Sequence, residues 1–177
     1  MRTKVAIIGS GPSGLLLGQL LTNAGIDNVI LDRASKEHII GRVRAGVLEE
    51  GTAGLMDKAG VGGRMHAEGL PHNGFSLAFD GRDHRIDLFG LTGGKSVLIY
   101  GQTELTRDLI EQREKDAIPA IYEAANVTPQ DFGSGKPFVT YETHGVTHRL
   151  DCDFIAGCDG FHGASRWAIA ENAIRTF

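Results

Sequence analysis

Three groups of residues in this chain have the types and spacing to do chemistry. The first is Gly9-Ser10-Gly11-Pro12-Ser13-Gly14, a GxGxxG, with Asp32 eighteen residues after its last glycine. The first glycine permits a sharp exit from a strand. The second strips away a side chain so that backbone N–H groups can approach a pyrophosphate, and the third lets a helix pack closely on a sheet. The N-terminus of that helix adds partial positive charge facing the anion. Asp32 stands where a carboxylate can accept the ribose hydroxyls of an adenosine. The pattern is that of dinucleotide binding and permits FAD or NAD. An acid at 32 argues against a 2′-phosphate there, while the adjacent Arg33 could accept one. The second group is Asp159-Gly160 with His162 and Arg166. An acid and a glycine closing a buried strand lie on the ligand side of a parallel sheet. The same residues read equally well as a helix cap by Asp159 beside a surface His162. The third group is Arg33, Arg42 and Arg44. Guanidinium groups suit an anionic partner through charge-assisted bonds, although solvent-facing loop charge is the plainer reading of the spacing.

The elements that must position these groups are legible in outline. Val5-Ala6-Ile7-Ile8 is a short, wholly apolar run of the kind a central parallel strand requires. Pro12 suits the first turn of a helix running through Leu15, Leu16, Gln19, Leu20 and Asn23, with Gly25 as its stop. Asn28 to Asp32 forms a second strand, which completes a βαβ unit. Residues 33–46 read as a loop or short turns, and Val47 to Met56 as a helix weakened by Gly51 and Gly54. From Gly74 the period drops to two. Asp80-Gly81 is a hairpin signal between Phe75-Leu77-Phe79 and Ile86-Leu88. Val97 to Tyr100 is a strand, and Thr103 is placed to cap a helix from Glu104 to about Lys115. Ala120 to Tyr122 is a short strand. A second hairpin turns at His144-Gly145, Phe154 to Cys158 is the last apolar strand, and a helix follows from about Gly163. This is one domain with a hairpin excursion near residues 72–100.

Composition narrows the function further. The 177 residues carry a net charge of −4 with both signs interspersed, which argues against a nucleic-acid face or adhesion to acidic membranes. Apolar residues at 41% support a packed core. No apolar run approaches the roughly 20 residues of a membrane span, and the run after Lys4 is too short for a secretion signal. Cys152 and Cys158 read as reduced, buried thiols of a cytoplasmic protein. His144 and His148 fall in a hairpin, where a spacing of four does not pair them. No metal-ligand set is present in the pattern.

The chain resembles the flavoprotein aromatic hydroxylases, which bind FAD in a Rossmann-like domain. The resemblance is carried by Val5 to Gly18, Arg42-Val43-Arg44-Ala45-Gly46-Val47-Leu48-Glu49, Tyr100-Gly101-Gln102-Thr103-Glu104 and Leu150 to Gly163. It implies an α/β fold: a Rossmann-like FAD-binding domain over residues 1–177, built on a parallel sheet. The hairpin excursion would belong to a substrate-domain sheet whose remainder lies beyond Phe177. It also assigns roles. Gly9, Gly11, Ser13 and Gly14 would hold the FAD pyrophosphate, and Asp32 the adenosine ribose, where the family usually has the longer Glu. Arg44 would lie against the diphosphate, with Gly46 and Val47 beside the isoalloxazine. Gln102 would contact the ribityl side, and Asp159 with Gly160 would approach the diphosphate and ribityl chain. Arg33, Arg42, His162 and Arg166 would help bind NAD(P)H. The implied activity is NAD(P)H- and O2-dependent hydroxylation of a small aromatic acid, with no catalytic residue and no metal ligand in this stretch. A homodimer is among the expected states of the full-length protein. The family's third FAD motif, a Gly-Asp, has no match here. Which aromatic is hydroxylated, and whether this stretch alone is only a binding module, stay open at this point.

Overall fold

The computed structural model describes residues 1–169 and 173. The expected boundary near Phe177 lies outside them. The first elements are β1 (Val5–Ile8), α1 (Pro12–Asn23), β2 (Asn28–Leu31), α2 (Lys36–Ile40), β3 (Val47–Glu49), α3 (Glu50–Lys58) and α4 (Gly63–Glu68). The middle of the chain gives β4 (Leu70–His72), β5 (Gly74–Phe79), β6 (Arg82–Asp87), α5 (Leu88–Thr92), β7 (Val97–Ile99) and α6 (Gln102–Lys115). The last described elements are β8 (Ala120–Ile121), β9 (Ala125–Gln130), β10 (Phe138–Thr143), β11 (Val146–Asp151), β12 (Phe154–Gly157) and α7 (Ala164–Trp167).

The apolar run of β1 is buried at every position because it is covered on both faces. Its side chains alternate. Val5 and Ile7 join a core with Leu15 of α1, Met56 of α3, Met65 of α4, and Leu105, Leu109 and Ile110 of α6. Ala6 and Ile8 point the other way, into a core with Val139, Tyr141, Leu150 and Cys152 of the β9–β11 region. The parallel sheet, in the order β12-β1-β2-β8, is therefore the middle of three layers. Helices cover one face and the antiparallel sheet β11-β10-β9 covers the other. β1 pairs in parallel with both β2 and β12, so the strand ends at Gly9, Asp32 and Cys158 come out side by side. That alignment builds the site.

The excursion forms as expected, with β5 and β6 paired from Gly74↔Asp87 to Phe79↔Arg82. Asp80 and Gly81 turn at φ of 51° and 68°, and His144 and Gly145 turn the other hairpin at 51° and 74°, the positive values that a two-residue I′ turn needs. β3, β7 and β4 make a separate three-stranded antiparallel sheet at the base of the excursion. Phe75, Leu77 and Phe79 are about half exposed or more.

Four expectations need correction. Val47-Leu48-Glu49 is a strand, not the start of a helix, because it pairs with Ile99-Leu98-Val97, and long-range pairing outweighs local propensity. The helix begins at Glu50 and tolerates Gly51 and Gly54, which face open space. Thr103 does not cap α6. Gly101 occupies the N-cap, and the Thr103 hydroxyl instead donates to the Arg42 carbonyl at 3.2 Å. Leu88 leaves the hairpin because the Asp87 side chain accepts from the Gly90 amide at 3.1 Å and starts α5. Residues 33–46 hold α2, capped by Ser35, whose hydroxyl accepts from the His38 amide at 3.2 Å. β9 was hidden by Pro129, which reads as a breaker but is tolerated here on an edge strand.

Candidate functional site

The three glycines of the loop after β1 do different work. Gly9 has φ +104°, and a Cβ there would sit 2.5 Å from the Cys158 carbonyl oxygen. A Cβ on Gly14 would overlap the Gly9 carbonyl oxygen. Both are packing glycines, and they let the loop nest against the end of β12. The Gly9 amide donates to the Leu31 carbonyl and the Cys158 amide to the Ile8 carbonyl, each at 2.7 Å. Gly11 differs. Its backbone is extended, at φ −67° and ψ 174°, and a Cβ there would meet nothing within 4 Å. The space in front of Gly11 is open and lies at the mouth of α1. The first turn of α1 carries no acid and no side-chain cap. Its unsatisfied amides and its dipole face outward together, which is the donor set an anion requires. These residues fit a diphosphate.

Asp32, at the end of β2, is half-buried and takes three hydrogen bonds from the protein. Its Oδ2 accepts from both the amide and the hydroxyl of Ser10 at 2.7 Å, and its Oδ1 accepts from the Ala34 amide at 2.8 Å. Arg33 beside it is exposed. The sequence reading missed Ser10, which falls at a variable position of the glycine pattern. The available signal was a hydroxyl next to the loop's first glycine, with an acid closing the neighbouring strand.

Past the end of β12, the Asp159 carboxylate accepts from the Ser165 amide in the first turn of α7, at 2.9 Å, while Gly163 occupies the N-cap position. The expected N-cap role therefore falls to Gly163, and Asp159 reaches the helix only through the Ser165 amide. A Cβ on Gly163 would overlap the Asp159 carboxylate, which would have to swing aside. Gly160 turns at φ +79°. The exposed Phe161 ring meets His162 edge-on at 5.0 Å and lies under the Arg166 guanidinium at 4.4 Å. Burial, followed by the Asp159 charge, pushes the Cys158 thiol up and holds it protonated. Asp159, Gly160, Phe161 and Arg166 border a cleft of about 540 Å³ that also runs along Phe154 and Ile155 of β12.

A second limb carries the remaining candidates. A Cβ on Gly46 would overlap the Tyr100 carbonyl oxygen, and the Tyr100 amide donates to the Gly46 carbonyl at 2.8 Å. This contact, with the Thr103–Arg42 bond, lays the 42–47 segment along the start of α6, where Gln102 is the first residue. Tyr100 is itself fixed by its hydroxyl, which donates to Asp108 Oδ2 at 2.6 Å. Burial and that bond raise its pKa. Arg42, Arg44 and Val47 are exposed. Among the described residues, Arg33, Arg42, Arg44 and Arg166 have no carboxylate partner. The structure thus joins Gly9–Gly14, Asp32 and Asp159–Arg166 directly. It ties Arg42–Val47 and Gln102 to them through the core that Leu15 shares with Leu105. Among the described residues there is no metal-ligating group and no helix long and apolar enough to cross a membrane.

Parallel strand ends, a loop that only glycine can close, and an open helix N-terminus over them define a dinucleotide-binding domain of the Rossmann type. A family model described as "FAD binding domain" matches residues 2–176, and the chain belongs to that family. It is 48% identical over its whole length to a p-hydroxybenzoate hydroxylase of Acinetobacter baylyi, of which it covers 44%. It is 28% identical over 172 residues to an anhydrotetracycline monooxygenase of Streptomyces rimosus, of which it covers 31%. The chain therefore spans less than half the length of these relatives. Among solved structures, p-nitrophenol 4-monooxygenase from Pseudomonas putida superposes with a TM-score of 0.79 at 20% identity, over 93% of this chain and 43% of that one. PqsL of Pseudomonas aeruginosa gives 0.81 at 17% identity, over all of this chain and 47% of that one. These likenesses establish the fold, and the family match makes FAD the cofactor of the domain.

Proposed function

We propose that this chain is the FAD-binding part of an NAD(P)H-dependent monooxygenase that hydroxylates 4-hydroxybenzoate to 3,4-dihydroxybenzoate. The observation that carries the reading is the 48% identity, sustained over the whole chain, to a p-hydroxybenzoate hydroxylase. The geometry supports the cofactor part, since the open approach at Gly11 lies where a diphosphate would rest on α1. In this reading Gly11 and Ser13 hold the diphosphate with Arg44, Gly9 and Gly14 close the loop that presents them, and Asp32 holds the adenosine ribose. Gly46 and Val47 flank the ring system, and Gln102 with Asp159 and Gly160 serves the ribityl side. Arg33, Arg42, His162 and Arg166 offer charge-assisted bonds to the nicotinamide nucleotide. Bound FAD supplies the redox chemistry linking NAD(P)H, O2 and the aromatic ring, while the protein binds, orients and excludes water.

The hairpin β5–β6, with Phe75, Leu77 and Phe79 on its open face, belongs in this reading to a substrate domain completed by the rest of the protein. Such an apolar face left in water invites association. Cys152 and Cys158 are both free thiols, which fits a reducing compartment such as the cytoplasm. The test uses the full-length protein, with 4-hydroxybenzoate, NADH or NADPH, and O2, and follows 3,4-dihydroxybenzoate by chromatography. Substrate-dependent product is expected. Turnover of a different aromatic with none of 4-hydroxybenzoate would transfer the reading to another hydroxylase, and flavin binding without any turnover would leave only the binding module. Residues 1–177 alone are expected to form no product.

A further inference from the structure

Ser10 is fully buried, at 0% exposure, and both of its donors reach one atom. Its amide and its hydroxyl each lie 2.7 Å from Asp32 Oδ2. The other carboxylate oxygen takes the Ala34 amide at 2.8 Å. A carboxylate offers about four acceptor sites, so three protein donors leave one, on Oδ1. The backbone of Asp32 is held as well: its amide donates to the Ile121 carbonyl and its carbonyl accepts from the Ala124 amide, both at 2.9 Å. Asp has a single methylene, so the carboxylate cannot extend toward a ligand without giving up the bonds to Ser10. We propose that Ser10 is a positioning residue of the dinucleotide site. It acts through Asp32, fastens the glycine loop to the end of β2, and leaves the carboxylate able to grip one ribose hydroxyl of the adenosine rather than two. The proposal rests on the dinucleotide reading of the site and specifies how the ribose is recognised.

The experiment uses the full-length protein stripped of flavin. FAD dissociation constants come from flavin fluorescence for wild type, Ser10→Ala, Asp32→Asn and the double variant, and thermal midpoints are taken without ligand. Ser10→Ala should bind FAD roughly tenfold more weakly, the size of one charge-assisted bond. In the Asp32→Asn background the same change should add nothing, because Ser10 works through that carboxylate. Wild-type affinity in Ser10→Ala, equal losses in both backgrounds, or a lowered thermal midpoint with unchanged affinity would each overturn the proposal. A second measurement needs no variant: ADP, 2′-deoxy-ADP and 3′-deoxy-ADP compete with FAD on the wild-type protein. One deoxy nucleotide should compete more weakly than ADP while the other matches it. Weakening of both, or of neither, overturns the single-hydroxyl grip. Wild-type protein that binds FAD not at all would overturn the dinucleotide reading itself, a result distinct from all of these.

Discussion

Replacing Gly11 with Val separates access from folding. The backbone at Gly11 is in a region that valine adopts, and an added Cβ meets no heavy atom within 4 Å. Trading glycine for a restricted residue in a compatible conformation gains about 0.4–1 kcal/mol through the unfolded state. Valine is a poor N-cap, and Gly11 is the N-cap of α1, which costs up to about 1 kcal/mol. The stability of the ligand-free protein should therefore stay within about 1 kcal/mol of wild type. Ligand binding should not. The isopropyl group would fill the open space before the α1 amides and hold a diphosphate off them. Losing two charge-assisted bonds at about 1.5–3 kcal/mol each, or roughly 3–6 kcal/mol together, corresponds to a two- to four-order loss in FAD affinity. The assay is a fluorescence titration of the flavin-free full-length protein with FAD, alongside its thermal unfolding. Gly14→Ala is the control with the opposite signature. Its Cβ would collide with the Gly9 carbonyl, so the fold itself should lose about 1–3 kcal/mol before any ligand is added. A Gly11→Val protein that folds and still binds FAD as wild type does would refute the placement of the diphosphate.

Three further outcomes follow from the packing. Arg113 is buried, has no carboxylate partner among the described residues, and donates to Asn28 Oδ1, the Asn28 carbonyl and the Pro119 carbonyl, while burial pulls its pKa down to about 10. Arg113→Met should strand those acceptors and cost about 2–4 kcal/mol in denaturant unfolding, and an unchanged midpoint would show that water replaces the guanidinium. Ala117 takes φ +53° at the end of α6, with its amide on Glu114 and the Ile118 amide on Arg113, as Gly25 does after α1. Ala117→Gly should relieve that strain and raise stability by about 0.5–1 kcal/mol, as read by thermal unfolding. Asp153 is held below the usual carboxylate range by its bond to Lys4, so the pairing stabilises the fold above the unfolded pKa and is lost as pH falls through the folded value. Thermal midpoints should therefore drop below about pH 4, and less steeply in Asp153→Asn.

Local physics made much of this protein legible from its residues. The run Val5 to Ile8 suits a doubly covered strand, and GxGxxG closing onto a helix that opens with Pro12 follows from what each residue's backbone allows. The I′ hairpins at Asp80-Gly81 and His144-Gly145 follow in the same way. From these come the βαβ unit, the dinucleotide site and the position of Asp159 at a strand end. Tertiary structure decided everything that depends on a partner distant in sequence. Val47 to Glu49 becomes a strand only because Val97 to Ile99 lies beside it. Gly9 must be glycine because the carbonyl of Cys158, far along the chain, occupies the space of its side chain. Asp32 gives up most of its acceptor capacity to Ser10 and Ala34, a commitment set by how β1 and β2 register in the sheet. Propensity and turn chemistry act over a few residues and are written in the sequence. Hydrogen-bond capacity and excluded volume are shared among segments that meet only on folding, so the fold alone determined which donors Asp32 accepts and which glycines face a ligand.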